Sequence, residues 1–174
     1  MLKNILFAIL ILLVALGLYV SAQPPEMLIS RSLLIPVPAS QVFAQVNDFK
    51  NWANWSPWTR LDPNQKIEFS GAANGEGAVM TWNGNKDVGQ GRNAIVQSRA
   101  PEFIQTKLEF IKPFKSTSTA EFTFEEKGKE TLVTWTMLAQ KNFIMKTLHL
   151  VIDCDKMIGA QFEEGLSNLK NTVQ

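Results

Sequence analysis

The sequence predicts an α+β domain built on an antiparallel sheet and preceded by an apolar N-terminal helix. Three observations lead there. Period-two runs fill the middle of the chain, a long stripe at helical spacing closes it, and four aromatic rings recur every third residue ahead of most of the strands. With 174 residues the chain is long enough for one domain with a substantial core. Its 45% hydrophobic and 19% charged residues exclude a disordered protein.

The N-terminal element comes first. Ile5 to Val20 is an unbroken run of 16 apolar or glycine residues, with Lys3 before it and Ser21-Ala22-Gln23-Pro24-Pro25 after it. Extended to Ala22 it gives roughly 27 Å of helix, against a bilayer core of about 30 Å. The expectation is a single spanning anchor at residues 1–24, with a folded domain at 25–174. Tyr19 falls near one interface and Lys3 snorkels at the other. The small residues of Val20-Ser21-Ala22 also suit a cleaved signal peptide, which would make the protein secreted. Either reading keeps Lys3 on the cytoplasmic side and puts the domain outside the cytoplasm, on the periplasmic side. Pro24-Pro25 stiffens the junction.

From Leu28 the pattern changes. Ile29, Arg31, Leu33 and Ile35 alternate with Ser30, Ser32 and Leu34 in a first strand that stops at Pro36 and Pro38. Ser40 to about Trp55 reads as a helical pair, its first half carrying a stripe of Val42, Phe43 and Val46. Phe49, Trp52, Trp55 and Trp58 then fall on roughly one side. Short strands follow at Lys66–Phe69 and Ala78–Trp82, and Val88–Arg99 is interrupted early by Gly89 and Gly91, as a bulge or close approach requires. The cleanest alternations are Ile104/Thr106/Leu108/Phe110, Ala120/Phe122/Phe124 and Val133/Trp135/Met137, with the Lys127-Gly128-Lys129 turn between the last two. A short helix is expected at Phe143–Val151 and a longer one at about Asp153–Asn171. The longer helix has a stripe of Ile158, Phe162, Leu166, Leu169 and Val173. Gly159 and Gly165 sit at or beside that stripe. Each costs a helix about 1 kcal/mol, so the sheet or a ligand must come close there.

Several chemistries are excluded or weakened. Lys plus Arg (17) nearly balances Asp plus Glu (16) without a basic run, so a nucleic-acid footprint is unsupported. The single His149 and single Cys154 give no metal set and no nucleophile with a nameable partner, and no cofactor is called for. Glu125-Glu126 and Glu163-Glu164 read as solvated pairs, and the glycines from 71 to 91 do not form a phosphate loop.

The run Val42-Phe43-x-x-Val46-x-Asp48-Phe49-x-x-Trp52-x-x-Trp55-Ser56-Pro57-Trp58 resembles the first helical pair of the START-like (SRPBCC, polyketide cyclase/dehydrase) superfamily, close to its bacterial membrane-anchored members. Gly75-x-Gly77-Ala78, Trp82-x-Gly84-Asn85, Gly89-x-Gly91, Thr131-x-Val133-x-Trp135 and Phe162-x-x-Gly165-Leu166-x-x-Leu169-Lys170 extend the likeness over Leu28–Gln174. The resemblance implies a helix-grip fold, in which a curved antiparallel sheet of about six to seven strands wraps the C-terminal helix around a cavity. It implies a hydrophobic small molecule or lipid as ligand. On that basis Trp58, Trp82, Phe110, Trp135 and Met157 are expected as cavity walls and Thr106 as an inward polar anchor; ordinary core is the other reading of each. The tryptophan cluster either closes one end of the fold, gates the cavity, touches the bilayer, or offers a patch to a protein partner. An enzyme of the cyclase or dehydratase type is the alternative function, although no catalytic residue of such enzymes maps onto this chain.

Overall fold

In a computed structural model that describes residues 2–174, seven antiparallel strands form one sheet in the order β1-β7-β6-β5-β4-β3-β2. The strands are β1 (Glu26–Ile35), β2 (Lys66–Gly71), β3 (Ala78–Asn83), β4 (Gln90–Arg99), β5 (Phe103–Lys112), β6 (Ser116–Lys127) and β7 (Glu130–Gln140). Strands β2 to β7 form a meander, and β1 joins its far edge by pairing with β7 from Glu26↔Gln140 to Ile35↔Thr131. Alternation explains the strands: β7 buries Thr131, Val133, Trp135, Met137 and Ala139 in strict period two. The β6–β7 hairpin closes through Gly128 at φ +70°, a conformation that favours glycine.

The helices are α1 (Leu2–Ala22), α2 (Ala39–Asn47), a 3-10 turn at Phe49–Asn51, α3 (Trp52–Trp55), α4 (Pro57–Leu61), α5 (Phe143–Leu148) and α6 (Cys154–Val173). The second half of the expected helical pair is thus three short pieces. The three-residue aromatic spacing suits this, because side chains at i and i+3 eclipse in a 3-10 turn. Asp48 starts that turn by accepting from the Lys50 N–H at 2.9 Å, and Pro57 opens α4 at the position where a missing N–H costs nothing. Helix α6 starts where Asp153 accepts from the Lys156 N–H at 3.0 Å. Helices α2 to α4 and α6 pack over the inner side of the sheet, with α6 lying mainly along β1. The core between them includes Ile29, Ile35, Val42, Val46, Trp55, Phe122, Phe162, Leu166 and Leu169, each buried almost completely.

Both α6 glycines mark close approaches by protein. A Cβ on Gly159 would overlap the Arg31 guanidinium, which reaches across from β1. There Arg31 donates to Glu163 Oε1 at 2.8 Å and to Asp155 Oδ2 at 2.9 Å. A Cβ on Gly165 would lie 2.9 Å from the Trp135 ring and 3.2 Å from Pro57 Cδ. Glu163 and Glu164 remain solvated, as expected, but they also tie α6 to β1 through Arg31 and to α4 through Arg60.

Candidate functional site

Trp135 is the hub of the aromatic architecture. On one side it stacks on Phe162 of α6, with centroids 4.1 Å apart and planes 3° apart; on the other it stacks on Phe122 at 4.8 Å. Trp55 and Trp58 meet it edge-on at 5.7 and 5.6 Å, a favourable quadrupole arrangement. The tryptophans of the short helices also finish α2. The Trp52 indole N–H donates to Val46 O at 2.9 Å and that of Trp55 to Gln45 O at 3.3 Å. Both acceptors are last-turn carbonyls of α2, which lack helical partners. Trp52 and Trp55 are buried and Trp58 is partly so. The burial of Trp52 and Trp55 weighs against the cluster as a patch for a protein partner, with Trp58 alone partly open.

Beside this hub, enclosed by α3, α4, α6 and strands β2 to β7, lies a pocket of about 210 Å³. Trp58, Trp82, Met80, Leu108, Phe110, Met137, Ile158 and Phe162 form much of its wall, and the exposed Ala53 and Phe69 stand at its opening. Trp82 and Phe110 meet edge-on at 5.5 Å, and the Trp82 indole N–H is fixed by Val88 O at 3.0 Å. Gly91 makes that packing possible, because a Cβ there would overlap the Trp82 ring and lie 2.6 Å from Glu109 O. No Asp, Glu, His, Lys, Arg, Cys or Tyr is among the lining residues. A second, more open depression near Pro101, Glu102 and Thr123–Glu126 shows no comparable convergence of side chains.

Four of the six residues singled out from sequence, Trp58, Trp82, Phe110 and Trp135, come together in this wall. Met157 does not: it is 57% exposed, and its neighbour Ile158 faces the pocket. Ile158 belongs to the buried stripe of α6, whereas Met157 lies about 100° around the helix from it. Thr106 points inward and is fully buried, but it does not line the pocket; its Oγ1 has no hydrogen-bond partner. Sequence reasoning missed Asn93. It is 4% exposed and lines the pocket, and its Oδ1 is also unpartnered. Its phase with Ile95 on an inward face was the available signal, but the register shifts of β4 at Gln90/Gly91 and Ile95/Gln97 obscure that alternation. The Trp135 indole N–H is a third buried group without a partner, enclosed within the aromatic hub.

The other titratable groups lie elsewhere. Burial pushes the Cys154 thiol up, with Asp153 adding to the effect, so it is a poor nucleophile. Burial holds His149 below the usual imidazole value, and Lys141 contributes in the same direction. Among the described residues, no three His, Cys, Asp or Glu side chains gather as a metal site would require.

A curved antiparallel sheet gripping a long C-terminal helix over an aromatic-walled pocket defines a helix-grip protein. The family model "Polyketide cyclase / dehydrase and lipid transport" matches residues 27–174, and the chain belongs to that family. Solved structures share the fold at low identity. Protein CV1439 from Chromobacterium violaceum has a TM-score of 0.60 at 12% identity, with 87% of this chain and 98% of that one covered. Mll3558 from Rhizobium loti gives 0.60 at 17%, covering 84% and 96%. CalU16 from Micromonospora echinospora gives 0.55 at 16%, covering 86% and 85%. No curated protein matches the chain by sequence.

Proposed function

We propose that this chain is a membrane-tethered helix-grip domain that takes a compact apolar molecule, or the end of a lipid chain, into the pocket beneath α3 and α4. The observation that carries the reading is the composition of the wall. It is mostly aromatic and aliphatic, its polar members are Ser56, Thr59, Gln65 and Asn93, and it holds no titratable group. Asn93 is buried with its Oδ1 unpaired, which costs on the order of 1–3 kcal/mol. A ligand with one hydroxyl-like group finds polar partners in this wall that a pure hydrocarbon cannot use. Volume sets the scale: dry cavities of about 150 Å³ admit benzene. A 210 Å³ pocket therefore suits a substituted ring or short chain. The family's description, which includes lipid transport, supports the same ligand class.

Cyclase or dehydratase chemistry needs a group that moves a proton at the reacting carbon. The pocket wall holds none, which favours binding over turnover. The tether rests on α1, a 21-residue helix with an 18-residue stretch of mean hydropathy 2.8 and side chains that are almost all exposed. At the usual rise its length is about 31 Å, a match for the bilayer core. Lys3 at its start supports an extracytoplasmic domain.

Native mass spectrometry of the full chain, released from its own membranes in mild detergent, tests the reading. The expected result is one bound apolar species at one-to-one stoichiometry. Only the bare chain mass, before and after incubation with fatty acids, phenols and sterols, would remove the binding function.

A further inference from the structure

We propose that Phe143–Ile152, together with the adjacent β5–β6 turn, is a lipid-contacting surface that lays this end of the domain on the bilayer beside α1. The proposal rests on reading α1 as a membrane anchor. The observations are exposure and position. Phe143 is 54% exposed, Ile144 72%, Leu148 48% and Val151 82%, so one short segment turns a contiguous set of large apolar side chains to the outside. Soluble surfaces rarely leave such a patch uncovered.

The segment sits where the chain leaves α1. Only Gln23, Pro24 and Pro25 separate α1 from β1, a reach of roughly 10 Å. That linker is pinned: the Lys141 N–H donates to Pro25 O at 2.7 Å, and Lys146 Nζ donates to Ser21 O at 3.0 Å. The C-terminal end of α1 packs against α5, and Val20 there is 1% exposed. With α1 across a bilayer, α5 lies at the level of its last turn, in the interfacial zone.

The sheet register brings a second apolar element to the same level. Phe110↔Ser116, Ser118↔Ala139 and Glu26↔Gln140 place the β5–β6 turn at the end of the sheet where α1 arrives. Phe114 in that turn is 78% exposed and is flanked by Lys112 and Lys115. Neither Ile111–Ser116 nor Lys141–Ile152 contains an acidic residue, while together they carry Lys112, Lys115, Lys141 and Lys146. Exposed apolar side chains among lysines suit an anionic lipid surface. Helix α6 begins just beyond this segment, so Ile158 of the pocket wall stands about one helical turn from the lipid.

Site-directed spin labelling of the full chain in phosphatidylcholine/phosphatidylglycerol vesicles tests the assignment. Labels are introduced at the exposed positions Ile144→Cys, Val151→Cys and Phe114→Cys, at Val14→Cys within α1, and at Lys129→Cys in the distant β6–β7 turn. The buried Cys154 of the unaltered chain supplies the blank. The labels at 144, 151 and 114 should show an oxygen-to-nickel accessibility ratio several-fold above that at 129. If these three labels match 129 while Val14→Cys reports the bilayer, the docking surface is wrong and the anchor stands. If Val14→Cys also reports water, the anchor reading fails and the docking surface falls with it.

Discussion

Arg31 and Gly159 show how much one contact decides in this fold. Arg31 occupies an inward position on β1, among Ile29, Leu33 and Ile35, and carries its charge out to Asp155 and Glu163 across the backbone of α6. The Arg31 contact holds the Asp155 carboxyl below its ordinary value, and both carboxylates raise the already basic guanidinium. Gly159→Ala should therefore destabilise the wild-type chain by dislodging the guanidinium. In an Arg31→Ala background the same change should stabilise, approaching the roughly 1 kcal/mol that alanine gains over glycine in a helix. A urea-unfolding double-mutant cycle checks the change of sign. Gly165→Ala should be the more damaging substitution, because it meets the Trp135 ring and Pro57, neither of which can swing aside. At Asn93 the expected sign differs. Asn93→Leu removes a buried unpartnered amide and should leave stability equal or higher by about 1–2 kcal/mol, while a phenolic ligand binds about tenfold more weakly. Thermal unfolding and calorimetric titration read the two effects separately. The sequence shows that something approaches α6 at both glycines, since a helix interior otherwise rejects them. It does not show which side chain arrives, because Arg31 lies more than a hundred positions from its partners.

At the scale of elements, Trp135 links β7 to α6 and to the short helices. Trp135→Ala should cost about 3–5 kcal/mol in urea unfolding, the range for losing a fully packed large aromatic ring. Helix α5 gives a pH dependence through His149. The unfolded chain takes up a proton on this side chain near pH 6.5. The folded chain does so only at lower pH, because burial and then Lys141 disfavour the charge. Stability is present above about pH 6.5 and is lost as pH falls below it toward the depressed folded value. The urea midpoint in micelles should thus fall between pH 7.5 and 5.5, and His149→Leu should reduce that fall. Strands with one wet face, β5 to β7, were legible from alternation alone. The 3-10 segment and β4 were less so: a three-residue spacing fits several helical forms, and a bulge breaks the phase on which an inward assignment such as Asn93 depends.

For the whole molecule, the apolar alternations, the terminal stripe and the tryptophan spacing together specify a helix-grip fold, and the family match over residues 27–174 agrees with it. The pocket was legible only as a set of inward aromatics, because its extent depends on how far α3 and α4 stand off β2 to β5, a distance no residue pattern encodes. This space is proposed to receive an apolar molecule bearing one polar group. A crystal of the full chain grown in a lipid mesophase and soaked with 4-bromophenol tests it most directly. One anomalous bromine site is expected among Trp58, Met80, Trp82 and Leu108, with the phenol hydroxyl directed to the polar part of the wall around Asn93. A pocket without bromine density, at concentrations that saturate the surrounding lipid, would contradict it.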